Sequence, residues 1–459
     1  MKATKIIEII FKKYIPSPFT IAVLLTLVTL VFALFFTNSN NETTTGYLFR
    51  ILGFWESEIW NANLLVFAYQ MMLILVLGHV LVLSKPMSTL ILKVTKYCTT
   101  TATSAAIVSS LTMLVSFFNW GLGLIFGALL ARKVAEDAQR KNIQLNYPLI
   151  GASGYVGLMV WHGGISGSAP IKINESGHLK TMMKSLSTST DLNKLPELIS
   201  FNETVLSWWN IVLFFLVVIA VSLTFFIIGK KSKPTQIQLN IYERINNDLP
   251  KTKAEQLDQS NALAFLLGGI ILITFFYRYY ANLLSLQITP NLINFFMLGL
   301  AIILHGNIKN FSKAVGEAIS DVSGILIQFP LYFGIMGIMK HTGMVTLISD
   351  FFVSISTSQT LPIFTFFSAG LVNIFVPSGG GQWVVQGPIV LESALKLGVP
   401  LPKAIMALAY GDQITNMLQP FWALPLLGIT KLKAKEILPY TLIAMFVGMF
   451  IYILGLIIL

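Results

Sequence analysis

Apolar residues in this chain come in long blocks, not in the short alternation of a soluble helix or strand. Nine blocks are long enough to cross a hydrocarbon slab of about 30 Å as helices. They lie at 19–37, 62–83, 147–170, 206–229, 261–279, 290–306, 317–340, 403–427 and 437–458. Two further blocks, 102–135 and 361–396, are each interrupted near the middle by polar residues and glycine. Each is too short for two full crossings but long enough for two half-helices folded back on themselves. Such re-entrant hairpins are tolerated at membrane depth where protein or a wet cavity covers them. The pattern predicts an all-α polytopic membrane protein with about nine transmembrane helices plus two re-entrant hairpins.

Composition agrees. Of 459 residues 55% are hydrophobic and 11% charged, with a mean hydropathy of +0.74, against about 25% charged in a soluble domain. The formal charge of +11 would suggest nucleic acid only if it formed a patch, and the topology disperses it. With the N-terminus cytoplasmic, Arg50, Lys172, Lys180, Lys184, Lys194, Arg278, Lys340, Lys396 and Lys403 fall outside or within spans, and the other 22 of the 31 basic residues fall inside. This is the positive-inside bias expected at a cell inner membrane. The block after Lys2, Lys5, Lys12 and Lys13 resembles a signal peptide but has no convincing cleavage site, so it reads as a first helix. Cys98 alone excludes a disulfide within the chain, and the scattered histidines suggest no metal site.

Three segments match between the two halves at an offset of about 257 residues: 67–94 with 326–351, 117–123 with 375–381, and 152–164 with 409–421. The helix at 62–83 runs inward and its counterpart outward, so the repeat is expected to be inverted, with one half at 1–229, a cytoplasmic loop and linker helix at 230–280, and the other half at 281–459. Inverted repeats with paired interrupted segments point to a secondary transporter whose site lies near the midplane.

The candidate chemistry clusters at those interruptions. In "NIFVPSGGGQWVVQGP" (373–388), Pro377 reverses the chain, Gly379, Gly380 and Gly381 allow a tight turn, and Gln382 and Trp383 open a half-helix. The positive end of that half-helix suits an anion. Ser378 belongs to the same tip. In "ALAYGDQITNMLQPFWALP" (407–425), Asp412 is an ionisable group inside an apolar crossing, functional by default. Thr415, Asn416 and Gln419 share its helical face, and Gly411 and Pro420 suggest an unwound centre whose carbonyls bind a cation. In the first half, Asn119, Trp120 and Gly121 form the hairpin tip, and Ser153 and His162 lie in the matching broken crossing, where His162 is placed to exchange protons. The bland alternatives are packing turns and hydrogen-bonded structural groups. His79 and His305 read as interfacial, and Trp208, Trp209, Tyr277, Tyr279 and Tyr280 as belt aromatics.

"PSGGGQWVVQGP", "YGDQITNMLQPFWALPLLGI" and "YPLIGASGYVGLMVWHGGISGSAPIKI" together resemble the short-chain fatty acid transporter family, within the ion-transporter superfamily, over essentially the whole chain. The resemblance implies import of acetoacetate, butyrate or related acids, and a homodimer working by an elevator motion. Sodium-binding members of the superfamily carry Ser-Asn-Thr hairpin tips. This chain has "FNWGLG" and "PSGGGQW" instead, which leaves a proton on Asp412 as an alternative coupling ion. The competing readings are exchange or export of another organic anion such as a dicarboxylate, a passive pore, and a membrane enzyme. No constellation of nucleophile and base, or of clustered metal ligands, supports the enzyme, and no cofactor is expected.

Overall fold

A computed structural model describes residues 16–37, 42–184, 195–235, 238–239, 252–284 and 289–458. The four N-terminal lysines, residues 185–194 of the loop at 171–205, and residues 236–237 and 240–251 of the stretch at 230–260 lie outside the described residues.

The first half runs α1 (Pro18–Phe36), α2 (Thr44–Ile59), α3 (Ala62–Leu83), α4 (Lys85–Thr95), α5 (Thr101–Phe118), α6 (Trp120–Arg140) and α7 (Tyr147–Tyr155), which ends in a 3-10 turn at Val156–Met159. The short α8 (Ser168–Ile173) and α9 (His178–Lys184) precede α10 (Trp208–Lys231). After α11 (Lys253–Asp258) and α12 (Asn261–Leu284) come α13 (Pro290–His305), α14 (Ile308–Ala318), α15 (Ser323–His341) and α16 (Met344–Ser354). Then follow α17 (Leu361–Phe375), α18 (Gly379–Leu397), α19 (Leu401–Thr415) with a 3-10 turn at Asn416–Leu418, α20 (Pro420–Thr430) and α21 (Ala434–Ile458).

The protein is all-α and polytopic: among the described residues there is no strand, and α1, α3, α5, α10, α12, α15 and α21 are each long and apolar enough to cross a membrane. The blocks at 147–170 and 403–427 are not continuous helices. Each passes from α-helix to a 3-10 turn and then stops. Helix α2 escaped the hydropathy pattern because Arg50, Glu56 and Glu58 interrupt it. His79 and His305 are buried, His305 Nε2 bonding to Val80 O at 2.8 Å. Trp208, Tyr277 and Tyr280 are exposed, as belt residues should be.

Both hairpins turn on one device. Asn119 is the whole connection between α5 and α6. It is extended (φ −151°, ψ 123°), its N–H completes α5, and its side chain accepts the Leu122 N–H at 2.9 Å. The arms, at 18 and 21 residues, are therefore longer than the half-helices expected. Ser378 does the same for α18, extended (φ −150°, ψ 100°) and accepting the Gly381 N–H at 3.2 Å. Gly379–Gly381 are thus the first helical turn and not the reversal, and none of them has positive φ. Side-chain caps of this kind satisfy amides that nothing in lipid would.

By contact the helices sort into two groups. One holds α1–α3 with α12–α15; the other holds the α5–α6 and α17–α18 pairs, the interrupted helices, α10 and α21. Within the second group, backbones touch where glycine allows it. A Cβ on Gly154 would lie 2.4 Å from Gly127 O, and one on Gly411 would lie 2.0 Å from Phe366 O. Neither partner atom belongs to a side chain that could rotate away. Gly154→Ala is therefore expected to cost about 2–3 kcal/mol, read as a lowered thermal midpoint of the detergent-solubilised protein. Gly269→Ala, on α12 with nothing within 4 Å of its Cβ position, should leave the midpoint unchanged or slightly raised.

Candidate functional site

The two interruptions meet. Tyr155 OH, at the end of α7, donates to Asn416 O at 2.8 Å and Gln419 O at 3.0 Å, while Asn416 Nδ2 donates back to Leu158 O at 3.3 Å. Helix α21 closes two more carbonyls, Thr441 Oγ1 donating to Met417 O at 2.7 Å and Tyr452 OH to Met159 O at 3.0 Å. Five carbonyls at the interruptions therefore each accept at least one hydrogen bond, and the break falls after Asp412, which lies inside α19.

Asn373, on the first arm of the second hairpin, binds this junction. Its Nδ2 donates to Asp412 O at 2.8 Å, Asn416 Oδ1 at 2.9 Å and Thr415 Oγ1 at 3.0 Å, and its carbonyl accepts from Gln419 Nε2. Thr415, Asn416 and Gln419 are thus brought together as their spacing implied. Ser153 is not part of this cluster; its hydroxyl donates to Leu149 O in its own helix at 2.9 Å.

Asp412 does not stand alone. Its Oδ2 pairs with Nδ1 of His162, both side chains being buried. His162 Nε2 accepts the Ala169 N–H at 3.1 Å, and Gln413 Oε1 accepts the His162 and Gly163 N–H groups at 2.8 and 2.9 Å. An imidazole whose Nε2 accepts must carry its proton on Nδ1 when neutral, so His162 donates and the Asp412 carboxyl accepts. Asp412 Oδ1 has no hydrogen-bond partner among the described residues. The second hairpin presses on this pair: a Cβ on Gly379 would fall 2.7 Å from the Trp161 ring and 2.9 Å from His162 Cε1.

At the first tip, the Trp120 N–H donates to Ser166 Oγ at 3.0 Å. Gly121 lies within the first turn of α6, not at the reversal. The Trp120 ring meets Trp161, Trp422 and Phe67 at centroid distances of 5.9, 5.2 and 6.3 Å. Phe329 stacks on Phe421 at 4.0 Å, extending this aromatic cluster across to α15. Trp383 departs from expectation. It is fully buried on the opposite face of α18, its indole N–H donating to His178 Nε2 at 3.1 Å, and it packs with the loop after α8 and not with the tips. Burial lowers the His178 pKa below its ordinary 6.5, which suits a neutral acceptor. That loop, expected to be a mere connector, thus holds the second hairpin.

Two cavities flank the aromatic cluster. One of about 280 Å³ lies between Ser378, Gly381 and Gln382 on one side and Asn61, Asn63, Met336 and Lys340 on the other. The other, about 620 Å³, is lined by Ser17, Ser323, Gly324, Leu424 and the lysines 431, 433 and 435. Sequence reasoning missed Asn373, Gln413 and Tyr155 as organisers of the site. Amides and a phenol inside apolar crossings were the available signal.

The sequence profile described as "Short chain fatty acid transporter" matches residues 1–459. A protein of Escherichia coli (strain K12), named as a candidate short-chain fatty acid transporter, is 34% identical over 97% of this chain and 96% of its own. A Haemophilus influenzae protein of the same name is 33% identical with the same coverage. Among solved structures, Neisseria gonorrhoeae MtrF, of a class of antimetabolite efflux pumps, aligns over 96% of this chain and 95% of its own at 14% identity and a TM-score of 0.42. The Alcanivorax borkumensis YdaH transporter aligns over 96% and 98% at 14% identity and 0.43.

Asn373→Ala would leave a backbone carbonyl and two side-chain oxygens in the junction short of their shared donor. It should cost about 2–3 kcal/mol, read as a fall in thermal midpoint. Trp383→Phe, which removes the N–H and leaves a cavity at a fully buried site remote from the tips, should cost about 2–3 kcal/mol.

Proposed function

The chain belongs to the short-chain fatty acid transporter family, and from that premise we propose that it imports short-chain fatty acids or similar small monocarboxylates by symport with a proton or sodium ion. Family membership makes it a multi-pass membrane transporter with a small-molecule substrate, and not an enzyme.

The observation that carries the substrate class is the cavity of about 280 Å³ at the second tip. Polar groups of Asn61, Asn63, Ser378 and Gln382 share it with the apolar side chains of Leu64, Met336, Val345, Val376, Val384 and Val385. Its charged lining residues are Lys340 and Glu58, 3.8 Å apart. A short acid has one carboxylate for the amide and helix-end donors and a tail for the apolar wall. A dianion would find no uncompensated cation there, Lys340 being paired with Glu58. In this reading the tip residues Asn119, Trp120, Gly121, Ser378, Gly379, Gly380, Gly381 and Gln382 meet the substrate with Asn416, and Asp412 with its neighbours Thr415, Gln419 and His162 handles the coupling ion.

Several features support alternating access. The order of long helix, short helix, helix pair, interrupted helix and long helix occurs in both halves, as an inverted repeat with two re-entrant hairpins requires. The division of the helices into two groups suits an elevator, with the hairpins and interrupted helices moving against the rest as a homodimer. Residues assigned by charge to the cytoplasmic side, such as Ser17, Ser323 and Lys433, line one cavity, and those assigned to the outside, such as Asn61 and Lys340, line the other. This fits a cytoplasmic N-terminus in an inner membrane.

The test is uptake of labelled butyrate by proteoliposomes under an imposed pH or sodium gradient, with protein-free vesicles correcting for leak of the protonated acid. Accumulation above those controls, competed by acetoacetate and not by succinate, is expected. Trp120→Ala, which opens the aromatic cluster, should lower the rate about tenfold or more. Uptake competed equally by succinate would favour a dicarboxylate carrier, and no accumulation under either gradient would refute the proposal.

A further inference from the structure

We infer that the coupling ion is a single proton carried on Asp412 Oδ1, that it must be in place before the second hairpin tip accepts a carboxylate, and that His162 is the positioning residue that holds Asp412 for it. This rests on the transport reading above and specifies its ion and its order.

Three observations carry the inference. His162 is locked as the Nδ1–H tautomer by the Ala169 N–H on Nε2, so the ring has no free site for the travelling proton. Asp412 Oδ1, on a side chain 1% exposed, has no hydrogen-bond partner among the described residues, and an ionised carboxylate with one hydrogen bond in a dry interior is costly. Five carbonyls at the interruptions, those of Leu158, Met159, Asn416, Met417 and Gln419, already accept hydrogen bonds from Tyr155, Asn416, Thr441 and Tyr452, which leaves fewer backbone oxygens for a sodium ion than two open helix breaks would offer.

The order follows from the position of Gly379. It opens α18, and a Cβ there would lie 3.2 Å from His162 Nδ1, the atom bonded to Asp412. Across the same turn, Ser378 and Gly381 face the substrate cavity. One helix N-terminus therefore has a buried carboxyl group behind it and the substrate in front. While Asp412 is ionised it answers that positive end, and a second carboxylate meets like charge. Once Oδ1 is protonated the end is available, so proton and monoanion load together with no net charge.

His162 is the ionisable group that touches Asp412 among the described residues. The phenols of Tyr155, Tyr410 and Tyr452 on the packed helices are buried and engaged with other acceptors. Lys403 on α19, Glu392 and Lys396 on α18, Lys172 on α8, and Lys435 and Glu436 on α21 lie toward the helix ends, and α17 brings no titratable group.

The experiment is equilibrium binding of labelled butyrate to the purified full-length protein in detergent between about pH 6 and about pH 8, in sodium or choline chloride. Wild-type binding should weaken as the pH rises, identically in both salts. Asp412→Asn should bind at both pH values with the low-pH affinity of the wild type. His162→Gln should keep low-pH binding but move the midpoint of the profile, which a purely structural role would not. Binding that ignores pH, binding that needs sodium, or an Asp412→Asn variant with the wild-type profile would overturn the inference. If butyrate binds at neither pH the transport reading fails, and infrared difference spectra judge the proton separately. A protonated-carboxyl band present in the wild type at low pH and absent from Asp412→Asn supports it; no such band in the wild type refutes it.

Discussion

A helix interrupted inside hydrocarbon leaves amides and carbonyls that lipid cannot satisfy, each at a cost of several kcal/mol, and the architecture of this protein follows from how it meets that constraint. The two interrupted helices are set against each other so that each supplies donors to the other. Tyr155 reaches the carbonyls around the second break and Asn416 reaches one at the first. Neither break is affordable alone. The 3-10 turns at Val156–Met159 and Asn416–Leu418 tighten each helix before it stops, and α21 passes beside both with Thr441 and Tyr452 aimed at what remains. The glycine contacts between Gly127 and Gly154, and between Gly411 and Phe366, bring the hairpin arms close enough for Asn373 to join the same network.

What the sequence revealed and what it hid divide along the range of the interaction. Hydropathy found the helix at 62–83 to the residue, and the polar interruptions placed both hairpin tips, because span length and chain reversal are local properties. Register along α18 was also local. Trp383 immediately follows Gln382 and so points about 100° away around the helix, toward the loop that carries His178. Pairings across the fold were not legible. His162 and Asp412 are 250 residues apart, each looks like a lone polar residue in its own segment, and only the meeting of the two interruptions joins them. Helix α2 was hidden for a different reason: its charges break the apolar run, yet Glu58 is paired with His341 at 3.0 Å where α2 crosses the end of α15.

Aromatic rings fill the space between the two cavities. Along α15 the larger cavity reaches Ser323 and Gly324 and the smaller one reaches Met336 and Lys340, with Phe329 stacked on Phe421 between them. Trp120, Trp161 and Trp422 continue that layer to the first hairpin tip. A layer built from side chains of both helix groups need not rearrange internally to open; in the proposed elevator motion, sliding one group past the other would separate it. The rings also bear on selectivity, since an apolar wall rewards each added methylene modestly, about 0.8 kcal/mol when fully buried, until length exceeds the cavity.

Charge then limits what can cross. A body that carries its cargo through a low-dielectric layer is opposed by any net charge it holds, because the desolvation of an isolated ion far exceeds what a few neutral dipoles return. Fixed lysines in the moving part would bind a carboxylate well and then travel badly when empty. The interior at the tips instead has amides, hydroxyls, one imidazole held neutral and one carboxyl group. With substrate and proton both aboard, that set is neutral; with both gone, the protonated or paired state of Asp412 decides whether the empty return is possible. Placing one acid where another acid will sit is thus a way to let either be neutralised, and on the proposed mechanism the His162–Asp412 pair is the element that ties cargo to ion.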